Sequence, residues 1–205
     1  MKTISIDQSY SNFAFVVFDE NGKVLDRNVF HTGAKVPANL EKNYGEYFDT
    51  VQEQLIYLAN LFDEVLDKYS PCQLVFEGLA FGAKGDRVFS LGGLFYYITT
   101  GLVNRDRVLI KDIHTVAPTS VKKVARDCLD ETDRYEKDKD GNVVYLKSKK
   151  PKLKKMDKPD MLKALLNTED KWIVDGFSAS SKKTPTGVKD LPDAYFIGKA
   201  FLEKA

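Results

Sequence analysis

Four acidic residues in three separate segments, Asp7, Glu77, Asp190 and Asp193, are the side chains of this 205-residue chain whose types and spacing could do chemistry together. Asp7 closes the apolar run that begins at Thr3, and Glu77 closes Gln73–Phe76. Both are therefore expected at strand ends, where neighbouring strands of an α/β sheet leave a crevice for ligands. Asp190 and Asp193 are three apart at the start of a helical pattern, which puts both on one helical face. Left alone, such a cluster repels itself, and a cation resolves the conflict. Hard carboxylate oxygens favour Mg²⁺, with Mn²⁺ as a substitute. Two such ions about 4 Å apart can activate a water and stabilise the leaving oxygen of a phosphodiester. Single acids at strand ends and in first helical turns are common, and Asp190 could serve the helix dipole alone. The ordered set of four is what points to metal-dependent hydrolysis.

The elements that must position these residues follow from hydrophobic periodicity. Thr3–Asp7, Phe13–Asp19 and Lys23–His31 read as a three-stranded antiparallel meander, split by the turn-rich Gln8–Asn12 and by Asn21-Gly22. After Pro37, apolar residues recur from Tyr44 through Phe48, Val51, Leu55, Leu58, Phe62 and Val65 to Tyr69, alternately four and three apart, which predicts one long amphipathic helix covering the sheet. Gln73–Phe76 is a buried central strand, Arg87–Val103 a helix, Arg107–Lys111 a fifth strand, and Pro118–Cys128 a helix with proline in its first turn. Met161–Leu166 and Asp193–Leu202 continue the helical pattern. A meander followed by crossovers predicts an α/β fold: a mixed five-stranded sheet with helices on both faces. The expected organisation is a single domain, 1–205, with loops inserted at about 130–157 and 168–189; the first turns at Asp140-Gly141 and ends in the basic run Lys147–Lys155.

Net charge is only +1, but it is unevenly divided: residues 1–70 hold 6 Lys/Arg against 11 Asp/Glu, and residues 105–160 hold 16 against 11. An acidic first third and a basic middle suit a cation-binding centre beside a phosphate-binding surface. No apolar run approaches the roughly 20 residues that span a bilayer, so no membrane is expected. Cys72 and Cys128 stand in no ligand-like spacing, which argues against a disulfide framework or a zinc motif and for a reducing, cytoplasmic setting.

Several of these segments resemble the RuvC-type Holliday-junction resolvases, a family of ribonuclease H-like nucleases. Ile4-Ser5-Ile6-Asp7, a short turn and Phe13-Ala14-Phe15-Val16 look like its first motif, and Leu74-Val75-Phe76-Glu77 like its second. Ser90-Leu91-Gly92-Gly93-Leu94 is similar to the helix after that glutamate, and Pro118–Lys123 to the segment before the lysine region. Asp157-Lys158 with Met161–Leu165 resembles the next helix, and Asp190-Leu191-Pro192-Asp193-Ala194 the closing D-x-x-D-A motif. Three features depart from the pattern: Gln8 follows the first aspartate where a glycine is usual, Ala80 stands where an aromatic is expected, and the two loops are long. Such departures fit a divergent member, as from a virus.

The resemblance implies a ribonuclease H-like fold and a homodimer that nicks a four-way DNA junction symmetrically, with two Mg²⁺ per site, leaving 5′-phosphate ends. It implies that Asp7, Glu77, Asp190 and Asp193 hold the metals and that Lys122 and Lys158 approach the scissile phosphate. Lys122, Lys123 and the run with Lys149, Lys150, Lys152, Lys154 and Lys155 are expected to meet DNA phosphates, and Phe81 to stack on a base. The Gly92-Gly93 pair marks Arg87–Val103 as the dimer element. Competing readings are a related nuclease acting on flaps, forks or RNA, a non-catalytic DNA-binding module, and an actin- or sugar-kinase-type phosphotransferase. The last is disfavoured because Gln8–Asn12 has no glycine with which to grip phosphates.

Overall fold

A computed structural model describes residues 1–33, 45–78, 86–179 and 185–204. A six-stranded mixed sheet runs through its centre in the order β4-β3-β2-β1-β5-β6. Strands β1 (Lys2–Asp7), β2 (Asn12–Phe18) and β3 (Val24–Gly33) form the expected antiparallel meander. Strand β5 (Cys72–Glu77) pairs parallel to β1, and β6 (Ile113–Val116) pairs parallel to β5. A sixth strand, the two-residue β4 (Glu46–Tyr47), joins the β3 edge in parallel.

Side-chain alternation assigns the two faces. Ile4, Ile6, Phe13, Phe15, Val17, Leu74 and Phe76 pack under helices α1 (Val51–Tyr69) and α2 (Asp86–Asn104) through Leu58, Phe62, Leu66, Leu94 and Ile98. The opposite parity, Ala14, Val16, Phe18 and Val75, packs under α3 (Pro118–Asp127), α4 (Lys158–Leu166) and α5 (Leu191–Leu202). Asp7 and Glu77 share the parity of Ser5 and Val75, so both face the α3–α5 side. The β1–β5 register, with Ile6 opposite Phe76, sets them level with each other. Helix α5 lies almost on the sheet, because a Cβ at Gly198 would come within 2.2 Å of the Phe18 ring.

Two expectations require correction. The long helix does not begin near Tyr44: Tyr44 lies outside the described residues, Tyr47 is in β4, and α1 starts after Thr50. A reciprocal capping box sets that start, with Glu53 N–H donating to Thr50 Oγ1 at 3.2 Å and the Thr50 N–H donating to the Glu53 carboxylate at 3.0 Å. Nor is Arg107–Lys111 a strand. Asp106 takes a left-handed conformation at the end of α2, Arg107 N–H donates back to Leu102, and Ile110–Asp112 forms a 3₁₀ turn. The alternation there comes from a helix end that buries Val108 while leaving Leu109 and Ile110 exposed. The true strand, Ile113-His114-Thr115-Val116, buries only Val116, so its pattern is faint.

The segment 130–157 folds back on itself through bridges between Tyr135 and Leu153, Lys137 and Val143, and Tyr145 and Pro151. It turns at Gly141 as expected, and the Asp138 carboxylate accepts from the N–H groups of Asp140 and Asn142. Among the described residues no helix is long and apolar enough to cross a membrane.

Candidate active site

The four acids meet at one end of the sheet, and a lysine stands among them. Strand ends supply Asp7 and Glu77. Helix α5 supplies Asp190 at its N-cap and Asp193 in its first turn. Helix α4 opens with a capping box in which Asp157 accepts from Asp160 N–H and Asp160 accepts from Asp157 N–H, and this fixes Lys158 at its first position. Lys158 Nζ lies 2.8 Å from Asp190 Oδ1, 2.9 Å from Asp193 Oδ2 and 3.5 Å from Asp7 Oδ2. Three carboxylates from two elements thus point at one ammonium.

One cation does not neutralise this cluster. Burial is the largest influence on Asp7 and pushes its pKa up to about 8, with Asp193, Asp190 and Glu77 adding to the rise against Lys158. Burial likewise raises Glu77, reinforced by Asp193 and opposed by Lys122 and Lys158. Asp193 is raised by burial despite Lys158 and Lys122. Burial works against the charge on Lys158, but Asp7 and Asp193 outweigh it and hold the ammonium well above its ordinary range. Among the described residues no three Asp, Glu, His or Cys side chains close on a common point as ligands close on an ion, and Lys158 occupies the point on which Asp7, Asp190 and Asp193 converge. The donor set and its surplus negative charge nonetheless fit a divalent ion of Mg²⁺ type.

The remaining expected residues divide by position. Lys122 is near enough to bear on Glu77 and Asp193. Lys123 is on the solvent side of α3, paired with Asp127 at 3.1 Å. Lys149, Lys150 and Lys155 are exposed, whereas Lys152 pairs with Glu136 at 2.8 Å and Lys154 with the buried Asp160 at 2.5 Å. Phe81 lies outside the described residues.

Beside the acids is a cavity of about 180 Å³ bordered by Asn12, His31, Lys158, Thr186, Lys189 and Asp190, among others. Sequence reasoning missed His31, Thr186 and Lys189. The available signal was that the chain has only two histidines and that one of them ends the third strand of the meander.

No family model matches the chain, and no curated protein matches it. Solved structures do. One, the structure of Thermus thermophilus RuvC, aligns with 100% of this chain and 96% of its own, at a TM-score of 0.54 and 12% sequence identity. The chain has the fold of RuvC. Another, T. thermophilus RuvC in complex with Holliday junction substrate, aligns with 61% of this chain and 69% of its own, at a TM-score of 0.45 and 15% identity. The α/β, ribonuclease H-like class expected from the motifs is therefore the observed one, with six strands in place of five. Within this RuvC fold the acids occupy adjacent strand ends and the helix that crosses them.

Proposed function

We propose that the chain is a metal-dependent endonuclease that resolves four-way DNA junctions by paired phosphodiester hydrolysis, leaving 5′-phosphate ends. The observation that carries this reading is the convergence of Asp7, Asp190 and Asp193 on one ammonium, with Glu77 level with Asp7, in a chain with the fold of RuvC. Asp7, Glu77, Asp190 and Asp193 would hold two Mg²⁺, for which Mn²⁺ can substitute. When bound, the ions supply an activated water and charge stabilisation for the leaving oxygen. Lys158, once displaced from the carboxylates, would reach the scissile phosphate, and Lys122 would support the same phosphate from α3. The exposed lysines of the 130–157 segment meet the DNA arms. The two cores share one sheet, which supports reading the chain as one nuclease domain, at work in the cytoplasm.

Two cuts across a junction call for two sites, and α2 offers the surface for a homodimer. Phe89 is 81% exposed and Tyr96 66%, and with Gly93 and Tyr97 they form a stripe along one helical face. Tyr10 O–H, three residues beyond Asp7, donates to the Ser90 carbonyl at 3.1 Å and so ties this helix to the site.

The test is incubation with labelled four-way junction, matched duplex, fork and RNA–DNA hybrid in Mg²⁺, Mn²⁺ or EDTA, beside Asp7→Asn. Paired, symmetric nicks in the junction are expected, lost in EDTA and in the variant. Cleavage of fork or hybrid alone would move the substrate, and no cleavage of any substrate would overturn the nuclease reading.

A further inference from the structure

The cavity next to the acids includes three side chains that the metal chemistry does not use, His31, Thr186 and Lys189. His31 is on its wall, with Nδ1 hydrogen-bonded to Asn12 Oδ1 at 2.7 Å. Thr186 Oγ1 is buried and has no hydrogen-bond partner among the described residues. A buried hydroxyl without a partner is rare, and its usual explanation is a group that arrives later. Lys189 makes no ion pair among the described residues, and Asp190, the one acid on the wall, is already paired with Lys158.

Backbone hydrogen bonds and close packing position the described part of the wall. Ser178 N–H donates to Pro185 O at 2.8 Å and Gly187 N–H donates to Ser178 O at 3.1 Å, which holds the backbone on either side of Thr186 against Ser178. Gly187 has φ +143°, and a Cβ there would lie 2.5 Å from Val29 on β3, two residues before His31. Arg27 holds the preceding stretch from below, donating to Ile173 O and Asp175 O with its guanidinium over the rings of Trp172 and Phe177.

We propose that this cavity seats a phosphate of the substrate strand, next to the phosphate being cut, through the Thr186 hydroxyl and the Lys189 ammonium. The inference rests on the nuclease reading above. Because the cavity shares Lys158 and Asp190 with the acids, a strand with its scissile group on the carboxylates carries a neighbouring phosphate past this wall. The seat fixes the register of the cut strand.

A junction series carrying one uncharged methylphosphonate, stepped along the strand on both sides of the cut, tests this in single-turnover cleavage by the wild-type protein, Thr186→Val and Lys189→Met. Thr186→Val fills the same space and removes an unpaired hydroxyl, and thermal unfolding checks both folds. At one position the wild type should slow about tenfold or more, as expected when charge-assisted hydrogen bonds are removed. Each variant should cut the natural junction more slowly than the wild type and be slowed less than the wild type by the methylphosphonate at that position. Losses that multiply at every position would overturn the seat while leaving the nuclease standing. Failure of the wild type to cut the unmodified junction would overturn both.

Discussion

Replacing Asp7 by asparagine should abolish cleavage and at the same time stabilise the metal-free protein. The Asp7 side chain is only 18% exposed and its pKa is raised from 3.8 to about 8, first by burial and then by its acidic neighbours. A carboxyl whose folded pKa lies above its unfolded value stabilises the fold while protonated. That contribution is complete below about pH 4 and is lost as pH rises towards 8. Every tenfold difference in proton affinity between the folded and unfolded chain corresponds to about 1.4 kcal/mol, so at pH 7 the aspartate penalises folding by about 4 kcal/mol relative to a neutral isostere. Asparagine keeps the shape but not every hydrogen bond of the acid, which leaves a gain of about 3 kcal/mol, or roughly 6–12 °C in Tm for a chain of this size. Thermal unfolding in EDTA from pH 5 to pH 8 measures it. The advantage of the variant should grow with pH, and Mg²⁺ should raise the Tm of the wild type far more than that of the variant. A gain equal at pH 5 and pH 8, or no gain at pH 8, would refute the claim that the cluster carries unrelieved negative charge.

Three further outcomes are expected. Substituting Phe89 and Tyr96 together by serine should leave the fold intact and give a monomer by light scattering; an unchanged dimer would remove α2 from the interface. Neutralising the exposed Lys149, Lys150 and Lys155 should weaken junction binding and lower the slope of log K against log salt by about 0.9 for each DNA phosphate that these lysines neutralise. An unchanged slope would show that these residues do not touch DNA. Gly187→Ala should lower stability by about 2 kcal/mol or more, because it adds both an unfavourable backbone angle and a clash with Val29; denaturant unfolding with no change in midpoint would contradict the packing described.

Much of the candidate site is legible in the sequence. Asp7 and Glu77 stand out because apolar runs ending on an acid mark strand ends, and Asp190 with Asp193 because a spacing of three marks one helical face. The start of α1 was misplaced because Tyr44 to Phe48 continue the helical spacing, while the stronger local signal, Thr50-Val51-Gln52-Glu53, is a capping box. Strand β6 was displaced because an edge strand that buries one residue has little periodicity to read.

The sequence by itself determined the parity of each strand, the apolar stripe of each helix and the order of the acids, because these depend on backbone geometry that repeats every two or 3.6 residues. Only the tertiary structure decided that Ile6 aligns with Phe76, that Lys158 enters the acid cluster from α4, and that His31, Thr186 and Lys189 share one cavity. Those groupings join residues far apart in the chain. They arise from the packing of α4 and α5 on the sheet and from the fastening of residues 178 and 187 against β3, which no local pattern encodes.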